Sequence, residues 1–345
     1  MIDAPRDAVL VTGAAGFLGG TLLRRFAASG RPAVGLDVVA AEAPGARSLR
    51  VDVRDAGAVR EAVLRSGASV IVHAAALLPN ASRRDLDDVN VRGTSNVLDA
   101  ARSCGLRRVV FVSSSAVFPV LGAHDEDGPR TGLGAYAASK VAAEDRCADA
   151  RAAGLSVAVL RVVPVVGPGR LGLFGLLFRW VREGRRIPML GDGRNHHQLL
   201  DVDDACDALA LLADAPDDDV ARSFNAGAAI TGTVREDLAE LCRRAGTGAR
   251  PVAVPVHLAA SALRRLHRWG LSPIHPRVFD SASVDARVPV ARLESLGWRP
   301  RHSSADALVR AYDWYVAHPD VVATRGSGHR GAWDTAALDA LRRLF

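Results

Sequence analysis

The sequence predicts an α/β protein in which a parallel sheet has helices on both faces. Short β-rich runs alternate with helical patterns through the first half of the chain, which indicates parallel strands joined by crossover helices. Several runs are almost wholly apolar, as at 109–112 (VVFV), and such runs are typical of strands buried on both faces. The expected class is a doubly wound fold of about seven strands. The predicted strands span 8–12, 33–37, 48–51, 69–73, 108–113, 156–161 and 223–225.

The composition is typical of a globular protein and does not indicate a nucleic-acid partner. The 345 residues are 49% hydrophobic, which is enough for one large domain or two joined ones. The net charge is +6, but the basic residues are interspersed with 38 acidic residues, and aromatic residues make up only 5%. This pattern argues against a surface that binds nucleic acid.

The sequence shows neither a targeting signal nor a metal motif. Strand-like residues begin near Asp7, and the apolar stretch at 171–180 is too short to span a bilayer. The four cysteines lack the paired spacing of zinc ligands, and His196 and His197 are adjacent, so their side chains point apart. We therefore expect a cytoplasmic protein without a metal site or a membrane partner.

A glycine-rich turn follows the first predicted strand. Gly13, Gly16 and Gly19 lie between this strand and a predicted helix. Glycines let the backbone turn tightly and approach a ligand closely, and the helix N-terminus offers free N–H groups and the positive end of its dipole. This strand, turn and helix predict a binding site for the pyrophosphate of a dinucleotide.

An acidic residue, Asp37, closes the second predicted strand about 20 residues after the glycine turn. A carboxylate at this position can accept hydrogen bonds from the ribose hydroxyls of the adenosine. It would also repel a 2′-phosphate, and the next two residues are valines rather than an arginine. These features favour NAD over NADP.

The ends of the next two predicted strands supply further candidates for the cofactor site. Asp52 and Val53 end the third strand, where Asp52 could reach the adenine edge. His73 ends the fourth strand and is interpreted as a structural histidine. The side chains after it are small enough for a cofactor to lie against them, and they belong to Ala74, Ala75 and Ala76.

Lys140 is the single lysine among 44 basic residues, and it lies four positions after Tyr136, one of only three tyrosines. The two side chains are expected one helical turn apart. A lysine differs from an arginine in that its compact ammonium has a pKa that the surroundings can move. An unperturbed phenol, with a pKa near 10, is a poor base at neutral pH. Lys140 beside Tyr136, together with the positive nicotinamide of NAD, would lower that pKa and favour the tyrosinate.

Together these motifs resemble the extended short-chain dehydrogenase/reductase family, in particular its NAD-dependent epimerase/dehydratase branch. The resemblance covers residues 8 to about 318 and implies a Rossmann-type domain that binds NAD. Its motifs are 13–19 (GAAGFLG), Asp37, 52–53 (DV), 73–76 (HAAA), 89–94 (VNVRGT), 113–118 (SSSAVF), 136–140 (YAASK), 160–169 (LRVVPVVGPG), 191–193 (GDG) and 203–204 (DD).

The resemblance implies a catalytic set of Ser114, Tyr136 and Lys140. Tyr136 would act as the base, and Lys140 would also hydrogen-bond the nicotinamide ribose. Ser114 would hold the reacting oxygen, whereas its neighbour Ser115 would face the substrate. The family pattern assigns further places in the cofactor site to Phe17, Leu18, Asn90, Ser113 and Val163. Among these, Asn90 resembles the family's helix asparagine that orders the active-site backbone.

A nucleoside-diphosphate sugar is the leading candidate for the substrate. The chain departs from the family pattern where Pro164 replaces an asparagine and His197 replaces an arginine that binds the diphosphate. Arg194 or His197 could still serve that role. Ser115 and Ala116 occupy the positions of the acid/base pair that a dehydratase needs, so dehydration is disfavoured.

Two other functions stay open. One is an NAD-dependent dehydrogenase or reductase of a non-nucleotide alcohol or ketone, such as a sugar acid or a hydroxysteroid-like compound. The other is a non-catalytic protein that senses NAD. The family also implies a homodimer that pairs the helices ending near Cys104 and Ala153.

The sequence divides into a cofactor-binding part and a substrate-binding part. The NAD-binding Rossmann domain is predicted at 1–163 and is completed by about 198–226. A smaller and mostly helical substrate-binding region is predicted at 164–197 and 227–320. Residues 321–345 are predicted to form a linker and a short tail helix.

Overall fold

The computed structural model describes residues 8–119, 124–228, 232–256, 261 and 284–323. The predicted linker and tail helix fall almost entirely outside these residues. Within them, no helix combines the length and the apolar composition that a bilayer-spanning segment needs.

The centre of the fold is a parallel sheet of seven strands, as the sequence predicts. Its order from one edge to the other is β3-β2-β1-β4-β5-β6-β10. The chain moves outward from β1 in one direction and from β4 in the other, so the order reverses between these two strands. Their bounds are β1 Val9–Thr12, β2 Ala33–Asp37, β3 Arg47–Arg50, β4 Val70–His73, β5 Arg108–Ser114, β6 Ser156–Val162 and β10 Ser223–Ala226.

Helices cover both faces of this sheet. On one face, α1 and α7 contribute to an apolar cluster with β1 and β4. On the other face, α2, α4 and α5 pack in a second cluster. The central strands β1, β4, β5 and β6 are almost fully buried because each presents apolar side chains to both clusters, whereas the edge strand β3 is largely exposed. These helices span Phe17–Ala28 (α1), Ala56–Ser66 (α2), Gly93–Ser103 (α4), Ala135–Ala152 (α5) and Val202–Asp214 (α7).

Four short helical elements connect the larger ones. The helix α3 and a π-helical turn lead into α4, and a 3₁₀ turn follows β5. The helix α8 lies between α7 and β10. Their bounds are Arg83–Leu86 (α3), Asp87–Arg92 (π-helical turn), Ser115–Val117 (3₁₀ turn) and Asp217–Val220 (α8).

A smaller region packs beside the carboxyl edge of the sheet and has its own apolar core. In this core the Phe178 ring contacts the rings of Tyr312 and Tyr315. The region is mostly helical, with α6, α9 and α11 around this core and the short α12 after them, whereas the short α10 contributes Leu293 to the cluster on the main sheet. These helices span Leu173–Arg182 (α6), Val234–Ala245 (α9), Ala291–Glu294 (α10), Ser304–Ala317 (α11) and Pro319–Ala323 (α12).

The smaller region also contains strands that the sequence pattern does not predict. Two parallel pairs form, β7 with β9 and β8 with β11. These strands are short, and β8 and β11 each contain a proline, so their sequences lack a clear alternation. Their bounds are Val165–Val166 (β7), Arg186–Leu190 (β8), Leu200–Asp201 (β9) and Arg250–Val254 (β11).

Candidate active site

A cavity of about 970 Å³ opens at the carboxyl edge of the sheet, where the strand order reverses. Ligands of open α/β sheets bind at such a point because the loops after neighbouring strands diverge there. All but two of the predicted site residues line this cavity, and the exceptions are Asn90 and Arg194. The lining set comprises Gly13, Gly16, Phe17, Leu18, Gly19, Asp37, Asp52, Val53, Ala74, Ala75, Ala76, Ser113, Ser114, Ser115, Tyr136, Lys140, Val163, Pro164 and His197.

The glycine turn forms one wall of the cavity. Gly13 has a φ of +70°, and a Cβ there would lie 2.7 Å from the backbone of Ala74. A Cβ on Gly19 would lie 2.3 Å from the carbonyl oxygen of Gly13. Both positions therefore require glycine. Helix α1 begins at Phe17 without a side-chain cap, so its first turn offers N–H groups and a positive dipole end to a ligand. This wall fits a pyrophosphate.

Asp37 lies at the end of β2 and lines the cavity beside the glycine turn. Its carboxylate accepts a hydrogen bond from the backbone N–H of Ala15 at 3.0 Å. Asp52 also lines the cavity, but its carboxylate is bound by the guanidinium of Arg54 at 2.6 Å. The hydrogen bond from Arg54 lowers the pKa of Asp52. Asp37 is thus the acidic group placed to meet ribose hydroxyls, whereas Asp52 is held in a local ion pair.

His73 is a structural residue, as the sequence predicts. Its Nδ1 lies 2.6 Å from the hydroxyl of Thr12, and its Nε2 lies 3.1 Å from the hydroxyl of Thr94. The imidazole is fully buried, and this burial lowers its pKa to about 3. The ring therefore stays neutral and ties β4 to β1 and α4.

Asn90 lies behind the cavity wall rather than in it. Its side-chain oxygen accepts a hydrogen bond from the N–H of Leu77 at 2.8 Å. Its amide nitrogen donates to the hydroxyl of Ser139 at 3.0 Å. Asn90 therefore connects the loop after β4 to α5, one residue before Lys140.

Ser114 and Tyr136 meet at the cavity wall. Ser114 is the last residue of β5, and its hydroxyl accepts a hydrogen bond from the N–H of Ala116 at 3.2 Å. Tyr136 lies in the first turn of α5 and lines the same cavity, where the Ser114 side chain lowers the pKa of its phenol. A hydroxyl and a phenol brought together in this way can both contact one substrate oxygen.

Lys140 lies one turn along α5 and is buried with only 3% of its surface exposed. Its ammonium donates to the carbonyl of Val112 at 2.9 Å and lies 4.8 Å from the centre of the Phe111 ring. Burial lowers the pKa of Lys140 to about 8, although the nearby Glu144 carboxylate acts in the opposite direction. The ammonium of Lys140 is thus a buried charge, and the nearby carboxylate offsets only part of the cost of burying it.

Glu144 belongs to a buried ionic network beneath the site. Its carboxylate pairs with the Arg161 guanidinium at 2.7 Å and accepts a hydrogen bond from Ser113 at 2.6 Å. Arg161 also donates to the carbonyl of Glu126 at 2.7 Å. Because these contacts join β5, β6 and α5, they fix the strand end that carries Ser114.

The electrostatics of Tyr136 differ from the sequence-based expectation. Nearby positive charge is expected to lower the pKa of Tyr136, but burial of the phenol raises it. The groups that oppose this rise are the Ser114 side chain and the charge of Arg170. Sequence reasoning missed Arg170, although it directly follows the motif at 167–169 (GPG).

The predicted substrate residues divide into those that line the cavity and one that does not. Ser115, Pro164 and His197 line it, and burial lowers the pKa of His197. Arg194 does not line it, because its side chain is 86% exposed and pairs with Asp192. The cavity is also lined by Arg287, which pairs with Asp285 at 3.4 Å and which the sequence did not single out.

The sequence matches the NAD-dependent epimerase/dehydratase family over residues 9–227. Its relatives include the uncharacterized protein y4nG of Sinorhizobium fredii, 32% identical over 90% of this chain and 78% of that protein. The UDP-glucose 4-epimerase of Mycolicibacterium smegmatis is 29% identical over 89% of this chain and 97% of its own length.

Solved structures resemble the whole described fold. MoeE5 in complex with UDP-glucuronic acid and NAD is 27% identical and has a TM-score of 0.72. That match covers 90% of this chain and 99% of MoeE5. The glycine turn and Asp37 fit the same cofactor, NAD, on which the family depends. The chain belongs to the NAD-dependent epimerase/dehydratase family and is an enzyme of the extended short-chain dehydrogenase/reductase type.

Proposed function

We propose that this enzyme oxidises a hydroxyl of a nucleoside-diphosphate sugar. The observation that carries the proposal is that Ser114 and Tyr136 line the same cavity as the glycine turn, with the Ser114 side chain lowering the pKa of the Tyr136 phenol. The relatives support the substrate class, because they include a UDP-glucose 4-epimerase and a protein bound to UDP-glucuronic acid.

The residues of this chain divide the chemical work between them. NAD, held by the glycine turn and Asp37, supplies a hydride acceptor when it is bound. Tyr136 removes the proton of the reacting hydroxyl, and Ser114 donates a hydrogen bond to the oxygen as negative charge develops on it. Ser114 and the charge of Arg170 favour the tyrosinate against the effect of burial, and the ammonium of Lys140, one helical turn along α5, is assigned a further share of this task.

The far end of the cavity would hold the rest of the substrate. Arg287 and His197 line this end, and a guanidinium can bind phosphate oxygens through two parallel hydrogen bonds. Arg287 takes the role that the sequence suggested for Arg194. His197 contributes as a neutral hydrogen-bonding group, since burial lowers its pKa.

Turnover of UDP- and dTDP-hexoses tests the proposal. The purified enzyme is incubated with NAD and each sugar, the products are separated by chromatography, and absorbance at 340 nm is followed. An epimer without lasting absorbance identifies an epimerase, and a keto or acid product with rising absorbance identifies a dehydrogenase. The proposal is wrong if no nucleotide sugar is converted while simple ketones or alcohols are.

We further propose that Asp37 selects NAD over NADP. Asp37→Asn should lower the ratio of NAD to NADP affinity about tenfold, because it removes a charged acceptor for the ribose hydroxyls and a repulsive charge. Titration calorimetry measures both affinities. Asp52→Asn is the matched control, since Arg54 already holds the Asp52 carboxylate. An unchanged ratio in Asp37→Asn would show that selection lies elsewhere.

A further inference from the structure

Arg170 places a guanidinium in the cavity wall without an oxygen partner among the described residues. Its Nε is buried and makes no hydrogen bond. Its contacts are with two aromatic rings: the guanidinium carbon lies 5.5 Å from the centre of Phe17 and 5.7 Å from that of Phe174. These rings hold the cation in position through cation–π contacts.

The other long cationic side chains that line the cavity differ from Arg170 in this respect. Lys140 donates to a backbone carbonyl, Arg54 pairs with Asp52, and Arg287 pairs with Asp285. Arg170 is the one of these four side chains for which the described residues provide no hydrogen-bond or ion-pair partner.

An unpaired buried charge is unfavourable, and a bound anion would relieve it. Burial lowers the pKa of Arg170 to about 9, with the Tyr136 phenol acting in the opposite direction. A ligand oxyanion at the guanidinium would offset the cost of burying this charge. The planar fork of an arginine matches the two oxygens of a carboxylate.

The position of Arg170 indicates which part of a ligand it meets. Phe17 belongs to the glycine turn, and Tyr136 carries out the proposed proton transfer. Arg170 contacts the Phe17 ring, and its charge lowers the pKa of Tyr136, so the guanidinium lies near both the cofactor half of the cavity and the group proposed to take the proton. The pyrophosphate of the cofactor already has the N–H groups of the α1 N-terminus as donors. A group on the substrate is therefore the better partner.

We propose that Arg170 binds a carboxylate of the substrate beside the reacting hydroxyl, so that the enzyme acts on a sugar acid. This inference rests on the proposed function and names its substrate as a nucleoside-diphosphate hexuronate rather than a neutral hexose.

The test compares a UDP-hexuronate with the UDP-hexose that differs from it only at the carboxylate. The wild-type enzyme should have the higher kcat/KM on the hexuronate. Arg170→Gln should lower the ratio of the two kcat/KM values about 30-fold, which is the range for losing a charged hydrogen-bonding pair. Arg287→Gln is the matched control and should lower both values together, leaving the ratio unchanged.

Three outcomes would overturn the inference. The wild type could prefer the neutral sugar, Arg170→Gln could lower both kcat/KM values equally, or Arg170→Gln could weaken NAD binding in calorimetry with the sugar ratio intact. The last outcome would assign the oxyanion to the cofactor pyrophosphate. Arg170→Lys keeps the charge without the fork and provides a second variant if Arg170→Gln does not fold.

The same assay separates this inference from the proposed function. Conversion of the UDP-hexose without conversion of the UDP-hexuronate would reject the carboxylate site and leave the proposed function standing. Conversion of neither nucleotide sugar would reject the proposed function itself.

Discussion

Replacing Tyr136 with phenylalanine should lower kcat about 10³-fold, because the variant lacks the group that removes the hydroxyl proton. The substitution removes one oxygen and keeps the ring, so the cavity wall and NAD affinity should persist. Steady-state kinetics on the nucleotide sugar that the wild type converts measures the loss, and calorimetry measures NAD binding.

Tyr315→Phe is the matched control for this substitution. It makes the same chemical change in the core of the smaller region, where Tyr315 packs against Phe178. Its kcat should equal that of the wild type. If Tyr136→Phe kept full turnover while folded and loaded with NAD, Tyr136 would not be the base.

Replacing Lys140 with methionine should inactivate the enzyme and stabilise the protein. Activity should fall about 10²-fold or more, because the positive charge that favours the tyrosinate is lost. Burial lowers the pKa of Lys140 from 10.5 to about 8, and this corresponds to about 3 kcal/mol of destabilisation while the ammonium is charged. The variant also loses the hydrogen bond to the Val112 carbonyl, which reduces the expected gain in stability by about 1 kcal/mol. The free energy of unfolding at pH 7 should therefore rise by about 2 kcal/mol.

The pH dependence distinguishes this explanation from better packing of the methionine. Below about pH 8 the lysine is charged in both the folded and the unfolded chain, so the wild type bears the full penalty. Between about pH 8 and 10.5 the folded chain loses the proton before the unfolded chain does, and the penalty falls. Urea denaturation across this range should show the stability difference shrinking as pH rises. A difference that is constant with pH, or a less stable variant at pH 7, would contradict the account.

The sheet could be predicted from the sequence because local patterns determine it. The buried strands read as continuous apolar runs, and each lies within one or two residues of its predicted bounds. The strand β11 could not be predicted in this way. It is short, contains Pro251, and depends on pairing with β8, which lies more than 60 positions earlier in the chain.

The candidate site was predictable to the extent that its residues lie in motifs. Lys140 stands out because the chain otherwise uses arginine, and Tyr136 follows from its spacing to that lysine. Arg170 could not be separated from the other arginines by sequence alone. Its distinction is a missing oxygen partner between two aromatic rings, and only the folded arrangement reveals it. The sequence likewise favours Arg194 over Arg287, because only the fold shows that Arg287 lines the cavity and Arg194 does not.

The central claim is that Tyr136 and its neighbours support hydride removal from a sugar carbon. The most direct test uses a nucleotide sugar that carries deuterium at every ring carbon, mixed with excess enzyme and NAD and quenched at successive times. The account predicts that cofactor recovered during the first turnover carries deuterium, and that Tyr136→Phe delays its appearance. Formation of product with no deuterium in the cofactor at any time would contradict the account.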